Sequence, residues 1–187
     1  MVPFFLEDSA YARGIVPNIT TLATALRSAG GTVAWVVSGV PPPSPARLEF
    51  LGPTIAKLHN GAVGDGPLRD RLWHEFEVAP DDVLAEKTSV SAFFPGRSTL
   101  PPLLEERSIE TVLIAGTVAN VCCESTARDA STIGYRVIMV ADANAAVRDQ
   151  DLNATLHTVY RTFGDVRPTA EVLELIEAGP SCDSGDS

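Results

Sequence analysis

Two adjacent cysteines, Cys122 and Cys123, follow an apolar, β-branched run at 111–114 that leads through Gly116 into a short turn. The polar residues after them, 124–129, have a helical composition, so the pair lies where a buried strand passes into a helix. A thiol at a helix N-terminus meets free backbone N–H groups and the positive end of the helix dipole, which favour its thiolate. The pattern predicts a nucleophile, although an inert, packed cysteine is the common alternative. Neighbouring helical side chains point about 100° apart, so only one of the two thiols can face a cleft.

Lys87 is a candidate partner for this thiol. It follows a predicted strand at 83–86, and the ends of parallel strands converge on one rim of a sheet, where Lys87 and Cys122 could meet. An ammonium group beside a thiol favours the thiolate by Coulomb attraction. The alternative is a solvated loop lysine, since most lysines are exposed.

Other site chemistries find less support in the sequence. His59, His74 and His157 stand singly, without H-x-H, HExxH or CxxC spacing, so no metal site and no cofactor are predicted. The first two histidines lie in an irregular stretch and the third in mid-helix, which disfavours a Cys–His pair. Gly116 lacks the companion glycines of a phosphate-binding loop.

The elements that must position the cysteine alternate between strands and helices. Apolar runs predict four buried strands and one brief one, at 32–37, 83–86, 111–115, 135–140 and 163–166. Helices are predicted after Pro17 and at 122–133, 151–161 and 168–177. Strand–helix–strand units close with a right-handed crossover, so the strands should run parallel in a three-layer, doubly wound α/β fold.

The chain is predicted to form one domain at 1–178. The tail at 179–187, which includes Cys182, has almost no apolar content and is expected to be disordered. Between two predicted strands lies a long insertion at 41–82, with helices expected at 46–58 and 68–73 around a glycine-rich turn. Long ordered insertions usually serve binding, so the substrate pocket should draw on this one.

The composition excludes several classes of partner. The 187 residues carry a formal charge of −10, which argues against nucleic acid and anionic membranes. No apolar run approaches the roughly 20 residues of a membrane helix, and the first residues lack the basic leader of a signal peptide. Three cysteines, two of them adjacent, do not make a disulfide framework. A cytoplasmic protein acting on a small-molecule substrate is expected.

The segments EKTSVSAFF, AGTVANVCCESTARDA and GYRVIMVADANAA resemble the isochorismatase-like cysteine hydrolases in order and spacing. The later segment DLNATLHTVYRTFGDVRPTAEVL resembles the closing elements of one branch of that family. The resemblance implies a parallel six-stranded sheet, a homodimer or homotetramer, and an Asp–Lys–Cys triad acting on amides, ureido compounds or vinyl ethers.

By this resemblance, Cys122 matches the nucleophile and Lys87 the triad lysine. Val118–Ala119 matches a cis peptide, the N–H groups of Ala119 and Cys122 would form the oxyanion hole, and Phe5 and Phe93 would line the substrate pocket. Cys123 holds a position that is commonly valine or cysteine, which fits a packing role. The metal-binding Asp-x-His of the nicotinamidase branch has no counterpart in SGVPPP, so metal is again not expected.

The triad aspartate has no match in the sequence. Aligning Met1 and Phe5 with the family's opening pattern places the aspartate just before Met1 and its strand before that. The expectation is that the natural product is longer by roughly 10–25 residues, one strand with its lead-in, and that the chain as written is poorly folded and inactive.

The predicted function is hydrolysis of a C–N bond in a small amide, ureido or carbamoyl compound through a cysteine thioester. One alternative is a catalytically impaired fold-mate that acts as a binding or regulatory protein. The others are a vinyl ether hydrolase of the isochorismate type and a redox-sensing thiol protein.

Overall fold

The computed structural model describes residues 1–42 and 44–179, without the side chains of 56–60. Five strands are present among them: β1 Ala34–Ser38, β2 Val83–Lys87, β3 Thr111–Thr117, β4 Arg136–Ala145 and β5 Asp165–Arg167. The helices are α1 Pro3–Leu6, α2 Ala10–Arg13, α3 Val16–Ser28, α4 Pro45–Gly61, α5 Leu100–Glu105, α6 Glu124–Thr132, α7 Asp149–Thr162 and α8 Thr169–Ala178. Beyond Gly179, the predicted disordered tail with Cys182 lies outside the described residues.

The strands pair in parallel, as the α/β prediction requires, but they form two sheets. β1 pairs with β2, with Ser38 opposite Lys87 at their carboxyl ends. β3, β4 and β5 form the second sheet in that order. The implied six-stranded sheet is therefore corrected: among the described residues no strand joins the free edge of β1 to the free edge of β3.

Helices cover the two faces of the sheets, which gives the three layers. On one face, α3 and α8 contribute Ile19, Leu22 and Val172 to a core that includes Trp35 and Val37 of β1. The opposite face is covered by α5, α6 and α7, whose apolar residues surround Ala85 of β2, Ile114 of β3 and Met139 of β4. The helix residues in this second core are Leu100, Leu104, Ala127, Ala130 and Val159. Successive strand residues thus alternate between the two cores, as the pleat of a strand requires.

A bulge lengthens β4 beyond its predicted end at residue 140. Ile114 pairs with Met139, whereas Gly116 pairs with Asn144, so β4 has extra residues between these two pairs. The buried Asn144 side chain donates to the carbonyls of Ile114 at 2.8 Å and Val140 at 2.7 Å, which satisfies backbone groups that the bulge leaves unpaired.

The insertion forms α4 and a 3-10 turn at Leu68–Arg71, close to the two predicted helices. α4 is broken at Gly52, whose φ of 74° is unsuited to a helix, and Pro53 follows directly. No described helix has the length and apolarity needed to cross a membrane.

Candidate active site

Cys122 lies in a π-helical turn, Ala119–Cys123, that connects β3 to α6. The Val118 carbonyl accepts the N–H groups of Val121 at 3.0 Å, Cys122 at 2.9 Å and Cys123 at 3.3 Å. This single acceptor fixes the backbone that carries the thiol, and Cys122 itself is half-buried. Such one-turn π segments are rare and frequent at functional sites.

Cys123 takes the opposite side of the turn and packs in the core with Ala127 and Ile114, at 5 % exposure. Burial raises the pKa of the Cys123 thiol to about 12, and the neighbouring Cys122 adds to the rise. Cys123 is therefore a neutral, enclosed thiol at physiological pH. Of the two adjacent cysteines, only Cys122 is accessible to a small molecule.

Lys87 is buried at the carboxyl end of β2, with 7 % exposure. Its ammonium group donates to the Val90 carbonyl, and none of the described carboxylates lies within ion-pair distance of it. The charge of Lys87 acts on Cys123, which partly offsets the rise in the pKa of that thiol. The structure thus brings the predicted lysine and the cysteine turn to one rim.

The Met1 amino group lies at this rim too. Burial lowers the pKa of this amine, the two cysteines oppose the change, and Lys87 adds to it. The Met1 carbonyl accepts the Trp73 N–H at 3.1 Å, which holds the first residue next to the segment that follows the 3-10 turn. The Lys87 ammonium therefore shares this rim with a buried amine whose charged form is disfavoured.

Two residues that sequence reasoning missed hold the cysteine turn in place. The Thr126 hydroxyl donates to the Cys122 carbonyl at 2.6 Å and accepts the Ala92 N–H at 3.1 Å, which ties the loop after β2 to the start of α6. The Glu124 carboxylate accepts the buried Thr155 hydroxyl at 2.6 Å and the Arg128 guanidinium at 2.7 Å. A threonine four residues after a nucleophile, able to bond back to its carbonyl, is the signal that could have identified Thr126.

The cis peptide bond lies one position earlier than predicted. It joins Thr117 to Val118, not Val118 to Ala119. Thr117 is the last residue of β3 that pairs with β4, opposite Ala145, and Val118 already caps the π-helical turn. The chain therefore changes direction directly after the last paired residue.

The two predicted oxyanion donors differ in availability. The Cys122 N–H is engaged by the Val118 carbonyl at 2.9 Å, because the π-helical turn closes through that bond. The Ala119 N–H has no acceptor among the described residues, although Ala119 is fully buried. Of the predicted pair, Ala119 is the one whose donor is free.

The structure does not bring the two predicted pocket phenylalanines together. Phe93 is buried at 3 % exposure, with its ring 5.0 Å from that of Tyr135, in the core beneath α5–α7. Phe5 is half-buried, stacks edge-to-face on Phe4 at 5.1 Å, and packs against the other core. Both rings serve as packing residues here, because the loop after β2 turns Phe93 inward and leaves Phe94 exposed.

A cleft of about 740 Å³ opens at the start of α6, the helix that directly follows the cysteine turn. Its walls come from the insertion, from the loop after β2 and from α6: Pro41, Pro42, Ser44, Arg47, Thr88, Ser89, Val90, Ser91, Phe94, Arg97, Ser125, Arg128 and Asp129. The start of the insertion thus lines a cleft, and the use of the insertion as a substrate pocket stays a prediction. Within the described part of the chain, no three His, Cys, Asp or Glu side chains are grouped closely enough to hold a metal ion.

Comparison with known proteins agrees with this arrangement. The chain is 30% identical over 167 residues to the uncharacterized isochorismatase family protein YwoC of Bacillus subtilis, covering 87% of this chain and 84% of that protein. It is 30% identical over 178 residues to the ureidoacrylate amidohydrolase RutB of Variovorax paradoxus, covering 84% of this chain and 67% of the relative.

Among solved structures, a cysteine hydrolase from Pseudomonas syringae superposes with a TM-score of 0.81 at 29% identity, covering 95% of this chain and 89% of that one. The family model of the isochorismatase domain matches residues 1–171. A parallel α/β fold, a cysteine at the turn after β3 and a match over most of the chain lead to one conclusion: this protein belongs to the isochorismatase family and is a cysteine hydrolase of that family.

Proposed function

We propose that this chain hydrolyses a C–N bond in a small amide, ureido or carbamoyl compound, with Cys122 as the nucleophile. The observation that carries the proposal is the accessible Cys122 thiol on the same rim as the buried Lys87 ammonium. A cation at this position stabilises the negative charge that develops near the attacking sulfur. The likeness to a ureidoacrylate amidohydrolase supports the choice of a ureido or amide substrate.

The reaction follows from the groups at the rim. The Cys122 sulfur forms a bond to the carbonyl carbon, and the carbonyl electrons move to oxygen, which the free Ala119 N–H can stabilise. Collapse of this intermediate breaks the C–N bond, and the amine departs with a proton. Water then attacks the thioester, which releases the acid and restores the Cys122 thiolate.

The departing amine needs a proton donor, and no described carboxylate contacts Lys87 or Cys122. The proposal therefore includes a carboxylic acid that reaches this rim. The Thr117 hydroxyl at the end of β3, which is buried without a partner among the described residues, supports a polar group there. A carboxylate there would also pair with the buried Lys87 ammonium.

A panel of small amides, ureido acids and carbamoyl amino acids tests the proposal, with a vinyl ether included for the alternative chemistry. Ammonia or amine release is measured for the C–N substrates and the carbonyl product for the vinyl ether, and rapid acid quenching followed by peptide mass analysis detects an acyl group on Cys122. We expect turnover of at least one C–N substrate together with that adduct. Absence of both, from a protein whose Cys122 still reacts with iodoacetamide, would contradict the hydrolase proposal.

A second candidate function is binding without turnover. One observation favours it, namely the absence of a carboxylate partner for Lys87 among the described residues. A homodimer or homotetramer is also proposed, supported by large exposed apolar side chains such as Val40, Phe50 and Val147.

A further inference from the structure

The cleft beside Cys122 is rich in arginine although the chain as a whole is acidic. Three arginines and a single aspartate line it, namely Arg47, Arg97, Arg128 and Asp129, in a protein with a formal charge of −10. An arginine-lined cleft in an acidic protein creates a local positive potential, and such a potential attracts small anions.

The cleft arginines are not equivalent. Arg128 is engaged, because its guanidinium donates to Glu124 at 2.7 and 3.1 Å and lies 4.4 Å from the centre of the Phe163 ring. The Arg97 guanidinium has no hydrogen bond or ion pair to any described residue, and the side chain is exposed. Arg97 therefore keeps its whole donor fork available for a ligand.

The backbone of Arg97 is nevertheless fixed. Its N–H donates to the Phe94 carbonyl at 3.1 Å, and its carbonyl accepts the Thr88 N–H at 2.7 Å. The adjacent Ser98 forms a bridge with Lys87. A free guanidinium on an anchored loop loses less conformational freedom on binding than one on a mobile segment.

Two residues connect this cleft to the reacting groups. Val90 lines the cleft and also accepts the Lys87 ammonium through its carbonyl. Ser125 lines the cleft and follows Cys122 by three residues, a spacing at which helical side chains are neighbours. A ligand in the cleft can therefore reach from Arg97 toward Cys122.

From these contacts we infer that Arg97 binds a carboxylate of the substrate, and that the substrates are acidic: amides or ureido compounds that carry a carboxylate beyond the scissile C–N bond. The inference rests on the proposed function for its reaction and names the substrate class. Guanidinium matches the two oxygens of a carboxylate in a bidentate pair, which a neutral amide cannot form.

The test compares two alkylating reagents, iodoacetate, which carries a carboxylate, and iodoacetamide, which carries a neutral amide in its place. With iodoacetate or iodoacetamide, the Cys122 sulfur forms a bond to the methylene carbon and iodide leaves. Peptide mapping gives the rate at Cys122 separately from that at Cys182. The ratio of the iodoacetate rate to the iodoacetamide rate cancels any change in thiol reactivity and reports the attraction of the carboxylate.

In the Arg97→Gln variant we expect this ratio to fall about three- to tenfold, the range for one charge-assisted contact weakened by solvent. Arg161→Gln is the matched control, because it removes the same charge from an exposed arginine of α7 that does not line the cleft. Its ratio should equal that of the unmodified chain. An equal ratio in both variants would overturn the inference.

A second measurement separates this inference from the proposed function. N-acetylglycine should protect Cys122 from iodoacetamide better than the neutral N-acetylglycinamide, and Arg97→Gln should abolish the difference. Ligand-observed NMR gives the same comparison if Cys122 fails to alkylate. Turnover of neutral amides with no carboxylate preference would refute the Arg97 subsite alone, whereas a carboxylate preference without any turnover would refute the hydrolase proposal alone.

Discussion

At the scale of single residues, the two adjacent thiols should behave as different chemical groups. Cys122→Ala should abolish turnover and remove iodoacetamide labelling in the 119–123 segment, because Cys122 is the accessible thiol. Cys123→Ala should keep turnover within about fivefold while costing roughly 1–2 kcal/mol of stability, since it removes one buried sulfur. Kinetics and urea denaturation check both. Equal loss of turnover from the two changes would show that the wrong cysteine has been chosen.

Lys87 provides the second prediction at this scale. Lys87→Met keeps most of the side-chain volume and removes the charge, so the rate of Cys122 alkylation at pH 7 should fall about tenfold or more. Folding should survive, because replacing a buried charge with an apolar group is often neutral or stabilising. Lys57→Met, at the sequence's only other lysine, is the control. An alkylation rate unchanged in Lys87→Met would refute the electrostatic role.

The residue types and their order predicted Cys122 and Lys87, but not the local geometry around them. The cis bond follows Thr117, the last residue of β3 that pairs with β4, after the register shift between Ile114 and Gly116. Sequence patterns contain no direct signal for such a register shift. Phe93 was placed in the pocket by resemblance alone, and the inward turn of its loop could not be read from its neighbours.

At the scale of secondary-structure elements, the Thr126 link should be measurable. Thr126→Val preserves the shape and removes both hydrogen bonds, to the Cys122 carbonyl and from the Ala92 N–H. A loss of about 1–3 kcal/mol and slower Cys122 alkylation are expected, because a buried N–H is left unpaired. Thr132→Val, which removes only an exposed bond to the Arg128 carbonyl in the same helix, should change little. Equal effects in the two variants would argue against the link.

The ion pair between Arg27 of α3 and Asp82, the residue before β2, predicts that stability depends on pH. Burial opposes the ionised form of Asp82, but hydrogen bonds from Arg27, Trp35 and the Ala79 N–H outweigh it and lower the pKa of this carboxyl. A lowered pKa stabilises the fold above the unfolded-state value near 4, and this contribution is lost as pH falls through the folded-state pKa. Asp82→Asn should therefore cost about 1–3 kcal/mol at pH 7 and less at pH 3 in urea titrations.

The exposed pair of Arg136 and Glu110 is the natural control for Asp82. Both side chains are more than 70 % exposed, at 73% and 77%, so Glu110→Gln should change stability by less than about 0.5 kcal/mol at either pH. A pH-independent cost for Asp82→Asn would show that its packing, and not its charge, stabilises this contact.

Most elements follow from hydrophobic periodicity, and the exceptions have physical causes. The strands β2 and β3 and the helices α7 and α8 match their predicted ranges to within about two residues, because their apolar runs are bounded by turn residues. β4 runs to Ala145 since the bulge filled by Asn144 extends it. The helix of the insertion breaks at Gly52, where local glycine chemistry overrides the pattern.

At the scale of the whole molecule, the described strands form two separate sheets, and no described strand joins the free edge of β1 to the free edge of β3.

The seam between the two sheets also affects how the protein loses activity. Lys87 belongs to the β1–β2 block and Cys122 to the block of β3, β4 and β5, and side-chain packing with the Thr126–Ala92 bond links the blocks near these residues. Each block keeps its own strand-to-strand hydrogen bonds if the two sheets move apart. Local opening along this line separates the Lys87 ammonium from the Cys122 thiol, so loss of activity needs only a shift between the sheets and can precede global unfolding.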